Sequence, residues 1–448
     1  MIISKFGGTS LSTADRIKIL CRITKKMLDK RPILVVSAVS GVTDSLLDAT
    51  ASLKKKPLAI TKIRKIHNQL IKDLFNVKTQ NEVSKYVDSK LNEVLRLLCK
   101  DNYKKAEIDK IIAYGEIISS YIITKALETF DIKAQQVLAN NLIVTDDNFG
   151  SAEFLPAFTQ KRVKAVLLPI TKKSIVPVVT GFMGSTKDGQ VTTLGRGGSD
   201  YSAAIVGFCL KASEVQIWTD VDGIFTADPK IVKKAKLLKQ ISYKEASELA
   251  IFGAKVLHPR TIKPAIKAGI PVRVLNTLKP GDEGTLICDT PDLQNPVTAI
   301  SYKRKVSLVN IYSTEMLFSK GFLVRIFKEF TKHNISVDLV SVSEVSVSVT
   351  LENDENLDAG VKGPSKFSSV SSNKNLGMVS LIGEGIVTSS STIRRIFEIL
   401  DEKKILVKMV SLGATDINVS LVLQYNQVED AVNTLHDKLL IKNMNHRK

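Results

Sequence analysis

Three glycines in Leu194-Gly195-Arg196-Gly197-Gly198-Ser199-Asp200 remove side chains where the backbone must turn sharply, and an arginine stands among them. Such a loop offers free N–H groups, and Arg196 adds a planar fork suited to a carboxylate or phosphate. Ser199 with Asp200 stands where a helix N-cap belongs, so the segment reads as an anion-handling turn at a helix N-terminus. The alternative is a glycine-rich connector with a solvated arginine. A lysine, Lys5, directly precedes a second such turn, Gly7-Gly8-Thr9-Ser10. This is not the P-loop order, in which the lysine follows the glycines. Ile217-Trp218-Thr219-Asp220-Val221-Asp222-Gly223 ends another apolar run, and Phe252 to Pro259 carries Lys255 beside a glycine. Two lysines, two glycine turns and an arginine loop suit nucleotide phosphates. The pair Asp220 and Asp222 lacks the later carboxylate of a calcium loop. His258-Pro259 reads as a helix ending.

These residues need elements to position them. Residues 2–6, 33–37, 133–138, 175–181, 214–219 and 272–274 read as buried strands with helical stretches between them. Such alternation predicts a mostly parallel sheet covered on both faces, with ligands at the carboxyl ends of the strands. Lys5, Ser37, Phe182 and Thr219 all fall near those ends. Between Ala49 and Glu107 a lysine-rich stretch with helical spacing predicts a lobe that shapes the pocket. His67 on that lobe reads as exposed or satisfied, not as a metal ligand. Glu116 opens another apolar helix, where a carboxylate is favoured by the helix dipole whatever else it does.

From about Val306 the pattern changes to a repeated β-α-β-β-α grammar of the ferredoxin-like kind. The polar stretch Asn353 to Lys374 separates the copies loosely. Sequence leaves open whether a last strand near residues 440–442 completes the second copy or returns to the first. The expected domains are therefore 1–290, 305–375 and 376–448, an α/β unit followed by two small α+β units.

At 448 residues, two or three domains are the prior, and 44% hydrophobic with 24% charged residues describes an ordinary globular chain. The 64 basic and 45 acidic residues leave a net charge of +19. The lysines are scattered through helix-like segments with few aromatics between them, which favours a solvated basic surface over a nucleic-acid face. Cys21, Cys99, Cys209 and Cys288 show no Cys-x-x-Cys spacing, which fits reduced thiols in a cytoplasmic protein. No apolar run approaches the roughly 18 residues of a membrane span.

Taken together, Lys5-Phe6-Gly7-Gly8-Thr9-Ser10, Val35 to Thr43, Gly115-Glu116, Leu194 to Asp200, Trp218 to Gly223 and Phe252 to Pro259 resemble the amino acid kinase family, and within it the aspartokinase branch. The resemblance spans almost the whole chain, because the C-terminal repeats look like paired regulatory ACT units. It implies ATP-dependent phosphorylation of the L-aspartate side-chain carboxylate, the first step toward lysine, threonine and methionine. In it Lys5, Gly7, Gly8 and Ser37 stabilise the transferred phosphoryl group, and Asp200 orients Lys5 or the substrate amine. Arg196 clamps the substrate α-carboxylate, Glu116 its ammonium, and Thr43, Phe182, Gly197 and Ser199 shape the site. Thr219, Asp220, Phe225, Lys230 and Lys255 match the nucleotide strip, with Phe225 where a tyrosine and Lys230 where an arginine is usual. Each departure weakens ATP binding by about 1 kcal/mol. Mg²⁺ comes with ATP.

The resemblance extends to a lysine effector site made of Met316, Ser319, Gly321, Phe322, Leu323, Ser336, Val337, Asp338, Ser343 and Glu344, with Val342 replacing a usual threonine. Asp338 and Glu344 supply the charge that a lysine ammonium needs, and the alternative for Asp338 is a plain turn residue. ACT units bind amino acids between copies, so a homodimer or larger assembly is implied. Two rivals stand beside this reading: a kinase for another amino acid such as glutamate, and an amino-acid sensor without catalysis. A nucleic-acid binder is a third, motivated only by charge.

Overall fold

A computed structural model describes residues 1–100, 102–252, 259–291, 295–317, 319–352, 356–413 and 415–441. The chain divides into two compact units. The first comprises residues 1–224, 237–243 and 256–291, and the second residues 225–236, 244–255 and 292–448.

In the first unit, strands β1 (Ile2–Phe6), β2 (Pro32–Val36), β3 (Ala134–Val137), β4 (Val176–Thr180), β7 (Glu214–Thr219), β8 (Gln240–Ser242), β9 (Val272–Asn276) and β10 (Thr285–Cys288) form one sheet. Their order is β3-β4-β2-β1-β7-β9-β10-β8. All neighbours are parallel except β9 and β10. Every residue of β1, β2 and β4 is buried, as expected of strands covered on both faces. A separate hairpin pairs β5 (Met183–Ser185) with β6 (Val191–Thr193). The connection after β1 runs to one side of the sheet and that after β7 to the other, so a crevice opens at the carboxyl ends of this central pair.

The helices of this unit are α1 (Ala14–Lys26), α2 (Val42–Ala51), α3 (Lys56–Leu74), α4 (Val77–Leu97), α5 (Lys105–Ile112), α6 (Tyr114–Glu128), α7 (Pro156–Lys172), α8 (Gly198–Leu210) and α10 (Pro259–Lys267). Helix α9 (Tyr243–Ile251) falls, after its first residue, in the second unit. The expected helical lobe is α3 and α4, whose stripe Ile60, Ile63, Leu70, Val87, Leu91 and Val94 is buried. Full burial of each such side chain contributes about 1.5–3 kcal/mol. His67 is wholly buried in this lobe, not exposed; its Nδ1 bonds the Ile63 carbonyl at 2.9 Å.

Two helix boundaries differ from expectation. Ser199 and Asp200 are not caps: Gly197, at φ +71°, closes the turn, and both residues sit inside the first turn of α8. Pro259 begins α10 instead of ending a helix, because proline lacks the N–H that a first helical residue does not use.

The second unit contains a six-stranded antiparallel sheet built from β11 (Ala299–Tyr312), β12 (Val337–Val342), β13 (Ser346–Glu352), β14 (Ser369–Ile382), β15 (Val407–Leu412) and β16 (Asn418–Gln424), in the order β12-β13-β11-β14-β16-β15. Its helices are α11 (Phe322–Lys332), α12 (Leu357–Lys362), α13 (Ser390–Glu402) and α14 (Val428–His436). The two copies are joined more closely than a loose linker implies, since α12 and the start of β14 lie within Asn353 to Lys374. Strands β11 and β14 each serve both copies. Residues 299–303 supply the fourth strand of the second copy, and Asp437–Ile441 forms a π-helical turn instead of a strand.

Candidate active site

Parallel register brings the sequence motifs to one edge. Lys5 and Phe6 of β1 lie level with Val35 and Val36 of β2, and with Ile217 and Trp218 of β7. Beyond β1 the chain turns at once: the Gly7 N–H donates to the Trp218 carbonyl at 3.2 Å, and the Ser37 N–H donates to the Phe6 carbonyl at 3.1 Å. A Cβ on Gly8 would lie 2.8 Å from the Ala38 carbonyl oxygen, so only glycine lets these two turns touch.

The ammonium of Lys5 reaches across to α8, 2.6 Å from Asp200 Oδ1. Both side chains are almost enclosed, at 11% and 14% exposure. Gly7 lies beneath that ammonium, its missing Cβ 3.4 Å from Nζ. The glycine-rich loop is fixed from below: the Gly198 N–H donates to the Gly195 carbonyl at 2.9 Å, and the Leu194 N–H to the Phe182 carbonyl at 2.8 Å. Phe182 has a left-handed backbone, φ +68°, and its N–H donates to Ser202 Oγ of α8 at 3.0 Å. Ser199 packs against Gly181, where a Cβ would clash at 2.6 Å. Arg196 is exposed at the apex of this loop. Thr43, partly exposed, is the second residue of α2.

Glu116 approaches from α6. Its Oε1 accepts the Ala38 N–H at 3.1 Å, while Oε2 is buried with no hydrogen-bond partner among the described residues. Burial pushes this carboxyl up to about 8, against the pull of the Ala38 bond. A buried carboxylate oxygen without a donor is costly until a cation or N–H arrives. One helical turn on, Ser119 Oγ donates to the Ser37 carbonyl at 2.6 Å and fixes the Ser37 loop to the same helix.

Thr219 ends β7, its hydroxyl donating to Asp220 Oδ1 at 3.2 Å, and Asp220 is exposed. Asp222 is engaged by Lys279 at 2.6 Å and by Asn276, and these hydrogen bonds hold its carboxyl below the usual range. Phe225 and Lys230 belong to the second unit, where Phe225 is half-buried and Lys230 exposed. Lys255 lies outside the described residues.

In the second unit Met316 and Phe322 belong to the core beneath α11, and Phe322 meets Phe367 edge-on at 5.5 Å. Gly321, at φ +83°, caps α11; Ser319, Leu323 and Ser336 are exposed and Val337 half-buried. Asp338 is not a turn residue but lies on β12, and both its oxygens are 3.1 Å from Lys303 Nζ. Ser343 and Glu344 form the turn after β12, with Ser343 Oγ 2.7 Å from Ser346 Oγ. Asp338 is the second residue of β12, and Glu344 lies in the turn that leaves the end of that strand.

Sequence reading missed Asp109, Tyr201, Glu153 and Arg260, which surround the glycine-rich loop. Asp109 accepts the N–H groups of Gly150 and Thr193 at 2.9 and 2.8 Å and the Thr193 hydroxyl at 2.8 Å. Its one signal was a carboxylate at an apolar helical position, between Ile108 and Ile111-Ile112.

Known proteins are similar to this chain over almost its whole length. The amino acid kinase family model matches residues 1–276 and an ACT domain model matches residues 379–439. Chloroplastic aspartokinase 1 of Arabidopsis thaliana is 36% identical over 97% of this chain and 79% of its own length. The lysine-sensitive aspartokinase 3 of Escherichia coli (strain K12) is 34% identical over 98% of this chain and 99% of its own. Among solved structures, E. coli aspartokinase III in complex with lysine and aspartate (T-state) superposes with a TM-score of 0.87, at 33% identity over 98% and 99% of the two chains. The same enzyme in complex with aspartate and ADP (R-state) gives 0.84 at 32% identity, with the same coverage.

Proposed function

The chain belongs to the amino acid kinase family, as a member of its aspartokinase branch, and from that premise we propose that it transfers the γ-phosphoryl group of ATP to the side-chain carboxylate of L-aspartate, giving 4-phospho-L-aspartate. The observation that carries this reading is the meeting of Lys5 with Asp200, which joins the turn after β1 to the glycine-rich loop before α8. The acceptor carboxylate is already an anion at neutral pH, so no general base is needed. The obstacle is repulsion between that anion and the triphosphate, and catalysis consists of positioning and charge neutralisation.

Each residue has a part in this. Lys5 and the N–H groups of Gly7 and Gly8 face the phosphoryl group in flight, with Ser37 on the neighbouring turn. Asp200 holds the Lys5 ammonium in place. Arg196, exposed at its loop apex, takes the substrate α-carboxylate, and Glu116 Oε2, without a hydrogen-bond partner among the described residues, takes its ammonium. Thr43, Phe182, Gly197 and Ser199 shape the space between them. Thr219, Asp220, Phe225, Lys230 and Lys255 are the residues that the family resemblance assigns to the nucleotide, and Mg²⁺ enters as the ATP complex, held largely by phosphate oxygens and water. Buried Cys21 and Cys209, whose thiols burial pushes up to about 12, suit the cytoplasm.

Free lysine is the effector, bound at the segment from Met316 to Glu344. The functional unit is a homodimer or larger through the ACT units, as the family resemblance implies for an effector site between copies. Lys303 is paired with Asp338, an ammonium on the carboxylate that lysine is to engage.

Trapping the acyl phosphate with hydroxylamine tests the reaction: ATP-dependent hydroxamate from aspartate supports it. Hydroxamate from glutamate but not aspartate overturns the substrate, and lysine binding without any turnover would identify a sensor.

A further inference from the structure

Arg196 can grip a substrate only if the loop that carries it is held still, yet Gly195, Gly197 and Gly198 give that loop little stiffness of its own. Rigidity comes from a turn behind it, residues 148–152. A Cβ on Gly195 would lie 3.1 Å from the Gly150 carbonyl oxygen, so the turn and the loop are in direct contact. The turn is fastened at two points.

The first is Asp109 on α5, 1% exposed. One carboxylate oxygen accepts both the Gly150 and Thr193 N–H groups and the other accepts the Thr193 hydroxyl, while the Ala152 N–H donates to the Thr193 carbonyl at 2.9 Å. Thr193 is the last residue of β6, immediately before Leu194. The second is Arg260 on α10. Its guanidinium donates to Ser151 Oγ at 2.6 Å, to the Ser151 carbonyl at 3.0 Å and to Glu153 at 3.0 Å. Glu153 in turn accepts the Tyr201 hydroxyl at 2.6 Å, from the first turn of α8. The two points grip either side of the Arg196 loop, one at the strand entering it and one at the helix leaving it.

We propose that Asp109, with Arg260 as its counterpart, is a positioning residue for aspartate recognition: it locks the 148–152 turn behind the Arg196 loop and so fixes where the substrate carboxylate is held. This rests on the assignment of Arg196 to the substrate α-carboxylate. Among the described residues no cation lies within ion-pair distance of Asp109, so its work is hydrogen-bond acceptance, not charge. An asparagine can do the same, its oxygen taking the two N–H bonds and its amide donating to the Thr193 hydroxyl, which can reverse.

The test compares Asp109→Ala, Asp109→Asn and Thr193→Val in the full-length enzyme, measuring KM for aspartate and for ATP separately. Asp109→Ala is expected to raise the aspartate KM by about tenfold or more, leave the ATP KM within about twofold, and expose the Gly150 and Thr193 amides to hydrogen exchange. Asp109→Asn stays within about twofold of wild type, and Thr193→Val, losing one of three bonds, gives a smaller rise. Equal rises in both KM values, an unchanged aspartate KM in folded Asp109→Ala, or an Asp109→Asn as impaired as alanine would overturn the proposal. The exchange measurement keeps the tests separate: wild-type enzyme inactive on aspartate refutes the proposed reaction, whereas unchanged Gly150 and Thr193 exchange in Asp109→Ala refutes the latch itself.

Discussion

The ammonium of Lys5, at the carboxyl end of the central strand, lies 2.6 Å from Asp200 in the first turn of the helix that follows the glycine-rich loop. Almost 200 residues apart in sequence, the two join the turn after β1 to the glycine-rich loop. Lys5→Ala is expected to lower turnover by about 10²-fold or more while the protein stays folded, because the donor acts on charge that develops in the transition state. Steady-state rates with a thermal melt check this; a folded mutant with wild-type turnover would contradict the role.

In its proposed role on the substrate ammonium, Glu116 ties aspartate binding to pH. Its carboxyl, pushed up to about 8 by burial, must ionise to hold an ammonium, so the aspartate KM falls as pH rises toward 8. Stability runs the other way. Between the ordinary 4.5 and about 8 the ligand-free folded state binds more protons than the unfolded state, so stability falls as pH rises through that window. Glu116→Gln is expected to raise the aspartate KM by about tenfold and to melt higher than wild type at pH 8. A variant with unchanged KM removes Glu116 from the site.

Asp338 and Lys303 make a second pair whose separation can be tested. Asp338→Ala relieves inhibition by lysine and leaves catalysis nearly intact. Lys303→Met, which keeps the apolar stem but removes the competing ammonium, lowers the lysine concentration for half-inhibition. Inhibition curves settle both, and lysine inhibition unchanged in Asp338→Ala refutes the effector assignment.

His67 gives the helical lobe an acid limit. Burial lowers its imidazole to about 4, so from 6.5 down to about 4 the unfolded state takes up a proton that the folded state does not. Its contribution is present in full above 6.5 and is lost as pH falls through that range. His67→Leu should flatten the fall in melting temperature between pH 6.5 and 5; an identical slope would show that other groups set the acid limit.

Much of this was legible in the sequence, for physical reasons. The buried strands β1, β2, β4 and β7 are short apolar runs ending in glycine or hydroxyl residues, and Lys5, Ser37, Phe182 and Thr219 fall at their carboxyl ends because parallel strands leave them nowhere else. The small strands β5, β6, β8 and β10 were invisible, being three or four residues long. Glycine in a left-handed turn displaced the expected cap from Ser199 to Gly197. Asp109 and Arg260 could not be found by motif, since their partners, backbone and side chain alike, are more than 40 residues away. Asp338 was open to a turn reading in sequence and lies on β12, because pairing with β13 is a long-range property that local spacing does not show.

The central claim is that Lys5 and Arg196 serve two different anions held side by side. Single-turnover formation of acid-labile aspartyl phosphate from labelled ATP, measured against aspartate concentration, tests it most directly. The account predicts that Arg196→Ala forms the acyl phosphate only when aspartate is raised far above the wild-type requirement, whereas Lys5→Ala forms almost none at any concentration. Wild-type yields from both variants at ordinary aspartate concentrations would contradict it.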